Sequence, residues 1–317
     1  MSQRSVEKSA AIVKLVAWSV VAVVLIALFA LLMVGQSMNF LPIGGFYFFG
    51  GEVYPDADSY SVGDATYKAD IKELNIDWTA GDVNIITYDG EEIKIEEKGA
   101  GEKDENRMRT RLQGDRIDVK FIKSGKRVVA STPEKTLNVY IPESASDGRI
   151  SLTVNTASAD IYVGRSDASL RLGKIELNNV SGKTVVYVTC NSADIGAVSG
   201  RCEINGEYGE LGVESVSGGV VIKGTVSGDL DCETVSGNIN ATLGVIPRSI
   251  DAESVSGGVN LTLPSGDEGG FVCFFESVSG SLYFNGTKYS SGFGHGERRS
   301  EFSIETVSGS ARIDLQD

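Results

Sequence analysis

The residues that could do chemistry in this chain are few. Its single histidine, His295, lies in Ser290-Ser-Gly-Phe-Gly-His-Gly-Glu297. A catalytic imidazole needs a nucleophile or base held against it, and a glycine-rich loop holds nothing in place. One histidine also removes every mechanism that needs two, including most zinc enzymes. The same loop lacks the Gly-Lys-Ser/Thr ending of a phosphate cradle. The Gly-Gly-x-Gly-x-Asp nonapeptide of calcium-binding β-rolls is absent too. Asp82, Asp160, Asp194 and Asp229 follow turn segments, where a carboxylate ordinarily bonds the local backbone. Asn179-Val-Ser and Asn285-Gly-Thr fit the glycosylation pattern, which matters only in a eukaryotic secretory route. No catalytic, cofactor-binding or metal-ligating set is therefore expected, and no cofactor.

What must be positioned is a repeat. Val-Ser-Gly occurs eight times, ending at Gly182, Gly200, Gly218, Gly228, Gly237, Gly257, Gly280 and Gly309. Intervals of 18–20 beside 9 and 10 predict a coil of about 19 residues with two equivalent half-turns. Apolar residues alternate on both sides of each turn, as in Ile250-x-Ala252-x-x-Val255-Ser-Gly257-x-Val259-x-Leu261. That is the strand period of two. The two-residue gap before each valine reads as a bend that resets the phase and keeps the valine inward. A half-turn of this length cannot bury its own apolar face, but stacked coils can. The expected fold is all-β: a parallel β-solenoid (β-helix), right-handed by the usual hand of parallel crossovers. Residues 69–150 read as irregular first coils and 151–317 as the regular repeats. In this register Cys190, Cys202, Cys232 and Cys273 fall in apolar columns, as free buried thiols rather than ligands.

The amino-terminal end reads differently. Leu15–Gly35 is an apolar run of 21 residues, about 30 Å as a helix, which matches a bilayer core. Arg4, Lys8 and Lys14 precede it, and no Lys or Arg follows until Lys68. The positive-inside rule then leaves 1–14 in the cytoplasm, 15–35 in the membrane, and the rest outside. Residues 36–68 read as a membrane-proximal linker. The chain carries a net charge of −14, which argues against nucleic acid as a partner.

IDWTAGDVNI (76–85), LNVYIP (137–142), TASADIYV (156–163) and the TVSG/SVSG run resemble a known group. It is the bacterial "putative-adhesin" domain family of unknown function that includes LiaG-like proteins, and the resemblance covers about 69–317. It implies a parallel β-solenoid at the cell envelope, commonly behind an amino-terminal anchor, with no catalytic residues to carry over. Two functions follow. One is a non-enzymatic surface module that scaffolds or adheres through an envelope polymer or protein, with a monomeric body. The alternative is a carbohydrate-active β-helix enzyme on acidic envelope polysaccharide, since carboxylates alone can cleave glycosidic bonds. The outward positions show no distinctive cluster, which favours the first. Contact is expected at two insertions, 101–111 with Arg107, Arg109 and Arg111, and 285–300 with Tyr289, Phe293, Arg298 and Arg299. End-to-end assembly is opposed by Arg312, Asp314 and Asp317 on the last strand, read here as an exposed rim.

The topology is directly testable. Protease added to spheroplasts should digest the body and spare an amino-terminal epitope within the first 14 residues, whereas protection of the body would overturn the charge argument.

Overall fold

Parallel coils dominate the architecture because the apolar residues recur in register. The computed structural model describes residues 40–43, 46–49, 53–126, 134–265 and 270–316. The predicted span Leu15–Gly35 and its cytoplasmic flank lie outside the described residues. Among those described, no helix is long and apolar enough to cross a membrane. The chain divides into two units, one holding the described residues up to Gly196 and the other those from Ala197.

In the carboxy-terminal unit, Cys202 pairs in parallel with Val220, Val220 with Ile239, and Ile239 with Val259. These partners lie 18 to 20 residues apart, so one coil stacks on the next. A second set of columns runs Leu211, Leu230, Ile250 and Phe302. The interior of both sets is apolar and closed to solvent, with Leu230, Ile250, Phe302, Val259 and Ile313 all buried. Cys202, Cys232 and Cys273 take the predicted apolar positions, and burial pushes the thiols of Cys202 and Cys273 up to about 12. Cys190 is likewise buried and free, in the other unit.

The Val-Ser-Gly corner differs from the expectation of a phase reset. The strand alternation runs straight on: Ile250, Ala252 and Ser254 point inward, while Val255 is only half-buried. The same holds for Thr234 with Val235 and for Thr306 with Val307. No bend precedes the valine, so the hydroxyl residue takes the inward slot. Thr306 Oγ1 lies 2.8 Å from the carbonyl of its turn glycine, Gly309, and 2.9 Å from Ser277 Oγ. At this corner the hydroxyl therefore sits beneath the turn and donates to its part-buried carbonyl.

The corner glycines are set by crowding between coils. A Cβ on Gly237 would collide with the carbonyl of Gly218, and one on Gly257 with that of Gly237. Gly237 does not have the positive φ that a corner glycine suggests. Close approach of backbones is its reason.

The order of coils also departs from a simple winding. The last coil, Ser300–Gln316, lies between Ser249–Pro264 on one side and Phe271–Phe284 on the other. Arg312 and Asp314 thus pair beside Asn260 and Thr262 and do not form a rim. The outermost parallel coil is Phe271–Phe284, and it is covered by antiparallel strands Thr287–Tyr289 and Gly292–His295. An unpaired strand edge invites association, and an antiparallel hairpin blunts it.

The amino-terminal unit repeats this device. Its first long strand, Glu73–Tyr88, lies between Ser151–Val163 on one side and Arg116–Lys120 with Lys135–Pro142 on the other. Antiparallel strands Glu92–Lys98 and Arg109–Gln113 cover that second pair. Strands Ser61–Val62 and Ala65–Lys68 then pair with these covers, and Tyr54 and Tyr60 are buried. The ordered body therefore begins before residue 69.

A buried ion pair pins these segments together. Lys135, 1% exposed, sets Nζ 3.0 Å from Glu97 and 2.7 Å from the carbonyl of Asn106. The ammonium lies over the rings of Trp78 and Phe121, and Trp78 donates its indole N–H to the Lys135 carbonyl. Glu97 also accepts the backbone N–H of Met108. Burial brings Lys135 down to about 8 despite the opposing pull of Glu97.

Gly237→Val should destabilise the protein by about 1–3 kcal/mol through overpacking at the stacked corner. Ser236→Ala, on an exposed side chain, should cost under about 0.5 kcal/mol. Denaturant unfolding of both variants checks this, and equal effects would show that the corner is not crowded.

Candidate functional site

The outer face of the carboxy-terminal unit carries the most ordered chemistry. Each Val-Ser-Gly in five of the coils is preceded by Glu and then Ser or Thr, giving Glu214, Glu233, Glu253, Glu276 and Glu305. Parallel register puts Glu214 beside Glu233, Glu233 beside Glu253, Glu253 beside Glu305, and Glu305 beside Glu276. Adjacent rungs are about 4.8 Å apart. Asp231 and Asp251 form a neighbouring in-register pair two residues earlier. Two residues later come Val216, Val235, Val255 and Val307, all half-buried, and Val278, 53% exposed. One face thus presents a carboxylate stripe alongside a valine stripe.

Like charges directly opposite one another destabilise a sheet. The ladder meets this by holding protons. Burial, and then the charges of Glu253, Asp231 and Glu214, raise Glu233 to about 7. Burial, followed by Glu305 and Asp251, raises Glu253 to about 7 as well. Glu305 is raised too, by burial first and by Glu276 second. At neutral pH the stripe therefore mixes neutral carboxyls with carboxylates, which can hydrogen-bond one another along the stack. Beneath it, on the inner side, Ser215, Thr234, Ser254, Thr306 and Ser277 form a parallel hydroxyl column. The hydroxyls of Ser215, Thr234 and Ser254 have no protein partner among the described residues.

Neither stripe was anticipated from the sequence, where the outward residues look ordinary. The signal was present as Glu-Ser/Thr-Val-Ser-Gly, one residue pair longer than the triplet that marks the turns.

The expected contact residues are placed as follows. Arg109 is a correction: it is 4% exposed and in strand Arg109–Gln113, with its guanidinium on the carbonyls of Arg107, Met108 and Asp104 and on the Asp104 carboxylate. Arg111 is in the same strand, bound to Asp118 at 2.8 Å and stacked over Tyr60. Arg107 is half-buried beside Glu97 at 3.4 Å. Arg107 and Arg111 hold the insertion onto the body through Glu97 and Asp118, and Arg109 braces it internally. The second insertion is a hairpin rather than a loop. Asn285 and Gly286 both have positive φ, the signature of a tight two-residue turn. Phe293 stacks on Phe284 with centroids 4.5 Å apart, and Tyr289 packs 4.8 Å from Phe293. His295 lies 5.2 Å from Phe284 and 5.8 Å from Phe271, as part of this aromatic cap. Arg298 and Arg299 are exposed beyond it, Arg299 paired with Glu297.

In the amino-terminal unit a polar groove of about 450 Å³ runs over the corners at Gly81 and Gly182, lined in part by Asp82, Glu134, Ser158 and Asp160. Asp160 is occupied, accepting the Lys183 N–H and the Tyr162 hydroxyl. Among the described residues no group of three or more His, Cys, Asp or Glu side chains is arranged to hold a metal ion.

Parallel stacking of coils, glycine corners and covered outer coils define a repeat-like, mostly β-stranded protein. The chain belongs to the Toastrack DUF4097 family, whose model matches residues 71–314. Several solved structures are similar to the chain at low identity. A "putative adhesin" from Bacteroides fragilis is 12% identical, covering 81% of this chain and 97% of its own, with a TM-score of 0.42. Another from Parabacteroides merdae is 12% identical over the same shares, with a TM-score of 0.35. A "putative lipid binding protein" from Parabacteroides distasonis is 11% identical, covering 82% and 97%, with a TM-score of 0.35. These likenesses are too distant to bear on function. No curated protein matches the chain.

The carboxylate ladder makes stability depend on pH. Unfolding returns Glu233 and Glu253 to the ordinary value of 4.5, so the folded state holds protons that the unfolded state has lost. The stabilisation is complete below 4.5 and is lost as pH rises through about 7. The thermal midpoint of the carboxy-terminal unit should fall by several degrees between pH 5 and pH 8. The double variant Glu233→Gln, Glu253→Gln should flatten that dependence, measured by calorimetry, and an unchanged slope would show that the ladder is not its source.

Proposed function

We propose that the protein is a membrane-anchored, extracytoplasmic β-solenoid that serves as an adhesin-like or scaffolding module. Leu15–Gly35 is its single span, the amino terminus is cytoplasmic, and the body is a monomer outside the membrane. The apolar run and its flanking charges support this topology. The observation that carries the reading is the ordered outer face. A stack that repeats one carboxylate and one valine per coil offers identical contacts at a fixed spacing, which suits a repetitive envelope polymer or an extended protein segment. Covered outer coils support a monomeric body, since they leave few free strand edges for self-association.

The full chain in lipid vesicles should co-sediment with isolated envelope material. Glu233→Lys with Glu253→Lys, shown by circular dichroism to remain folded, should reduce that recovery at least about tenfold if the face supplies the contact. Unchanged recovery would remove the face from the reading, and release of reducing sugar from the envelope polysaccharide would overturn the non-enzymatic assignment.

A further inference from the structure

The first strand of a stack would ordinarily sit at its rim. Here the tether instead runs into strand Glu73–Tyr88, which has ladders on both sides. On one side it pairs in parallel with Ser151–Val163 along nearly the whole length of that strand, from Glu73 with Ser151 to Ile85 with Val163. The chain enters this ladder at the start of one strand and leaves it at the end of the other. Tension between the amino terminus and anything after residue 163 therefore pulls the two parallel strands in opposite directions along their axes. Their hydrogen bonds are loaded together in shear rather than opened one at a time from an edge.

We propose that this ladder is a tension clamp, through which force on the amino-terminal tether passes directly from Glu73–Ile85 to Ser151–Val163. Residues 89–150, which the covalent path would otherwise stretch, are bypassed. Three features fit this role. Leu74, Ile76, Trp78, Val83 and Ile85 are each 0% exposed, so the loaded strand is keyed into the core by every inward side chain along the ladder. Asp77 at its centre is tied across both neighbours, accepting from Asn155 on one side and pairing with Lys120 on the other. Trp78 is tied to the buried Lys135–Glu97 pair, which locks the covering strands onto the same element. A device of this kind serves a module that is anchored at one end and bound at the other, so its use rests on the function proposed above.

Single-molecule pulling on the full chain tests the clamp without a membrane or a partner, so its failure and the failure of that function are read separately. One attachment tag is placed after Asp167, in the exposed turn that follows the ladder. The other is placed either at the amino terminus or after Gly114, an exposed turn position with nothing within 4 Å of an added Cβ. Pulling from Gly114 loads the shorter pairing of Arg116–Lys120 with Glu73–Asp77. The main rupture from the amino terminus should require about twofold more force than from Gly114, because more hydrogen bonds are loaded at once. It should also release residues 69–163 in one step after a small early event from the short strands at 61–68. Hydrogen exchange matching that of the untagged chain establishes that both tagged proteins are folded. Equal forces, or stepwise opening of residues 89–150 before the ladder breaks, would overturn the proposal.

Discussion

In each unit the structure depends on parallel in-register stacking, which sets every side chain beside the equivalent one in the next coil. Apolar positions then become continuous columns, such as Leu211, Leu230, Ile250 and Phe302, and no half-turn has to bury its own face. The same rule makes glycine obligatory where two corners meet, since a side chain at Gly237 would occupy the place of the Gly218 carbonyl. It also forces equal charges together. A single acidic substitution on a globular surface is a minor event, but here the repeat multiplies it into a ladder. Glu233 and Glu253 answer by remaining partly protonated near neutral pH.

Parallel stacks have two exposed ends, and both units deal with this in the same manner. A long segment is inserted between two others, an internal segment becomes the outer coil, and antiparallel strands cover it. In the carboxy-terminal unit Ser300–Gln316 is the inserted segment and Thr287–His295 the cover. In the amino-terminal unit these are Glu73–Tyr88 and the strands at 92–98 and 109–113. A strand on an uncovered rim is unpaired along one side, whereas an inserted one is bonded on both. The cost is that long-range pairing must be completed before either unit closes. Its interior is specified accordingly, with the Lys135–Glu97 pair as the polar anchor of the amino-terminal covers and the Phe271, Phe284, Phe293 and Phe302 cluster as the apolar anchor of the other.

The arginines expected to meet a partner illustrate what insertions do in such a chain. Arg109 and Arg111 look like surface charges because they follow a run of polar residues. Instead Arg109 braces the insertion internally, through Asp104 and backbone carbonyls, and Arg111 fastens it to the neighbouring strand through Asp118. The contact face proposed above is on the coils themselves, where the stacking rule orders it.

The sequence by itself determined the period of the coil, the parallel β class, the inward columns and the burial of the four cysteines. All of these follow from alternation and spacing within a few residues, or from one repeat to the next. The long apolar run and its flanking charges were legible for the same reason. Tertiary structure alone decided the order of coils, because Phe271–Phe284 and Ser249–Pro264 offer equivalent ladders to the last coil and no local pattern ranks them. It also decided the inward turn of Ser254 and Thr306. Their hydroxyls are polar in the sequence; the turn carbonyl of Gly309 meets that of Thr306, while that of Ser254 is buried without a partner among the described residues. The altered acidity of the glutamate ladder belongs to the same class. Each Glu is unremarkable alone, and its proton affinity comes from a neighbour that is distant in the chain and one rung away in space.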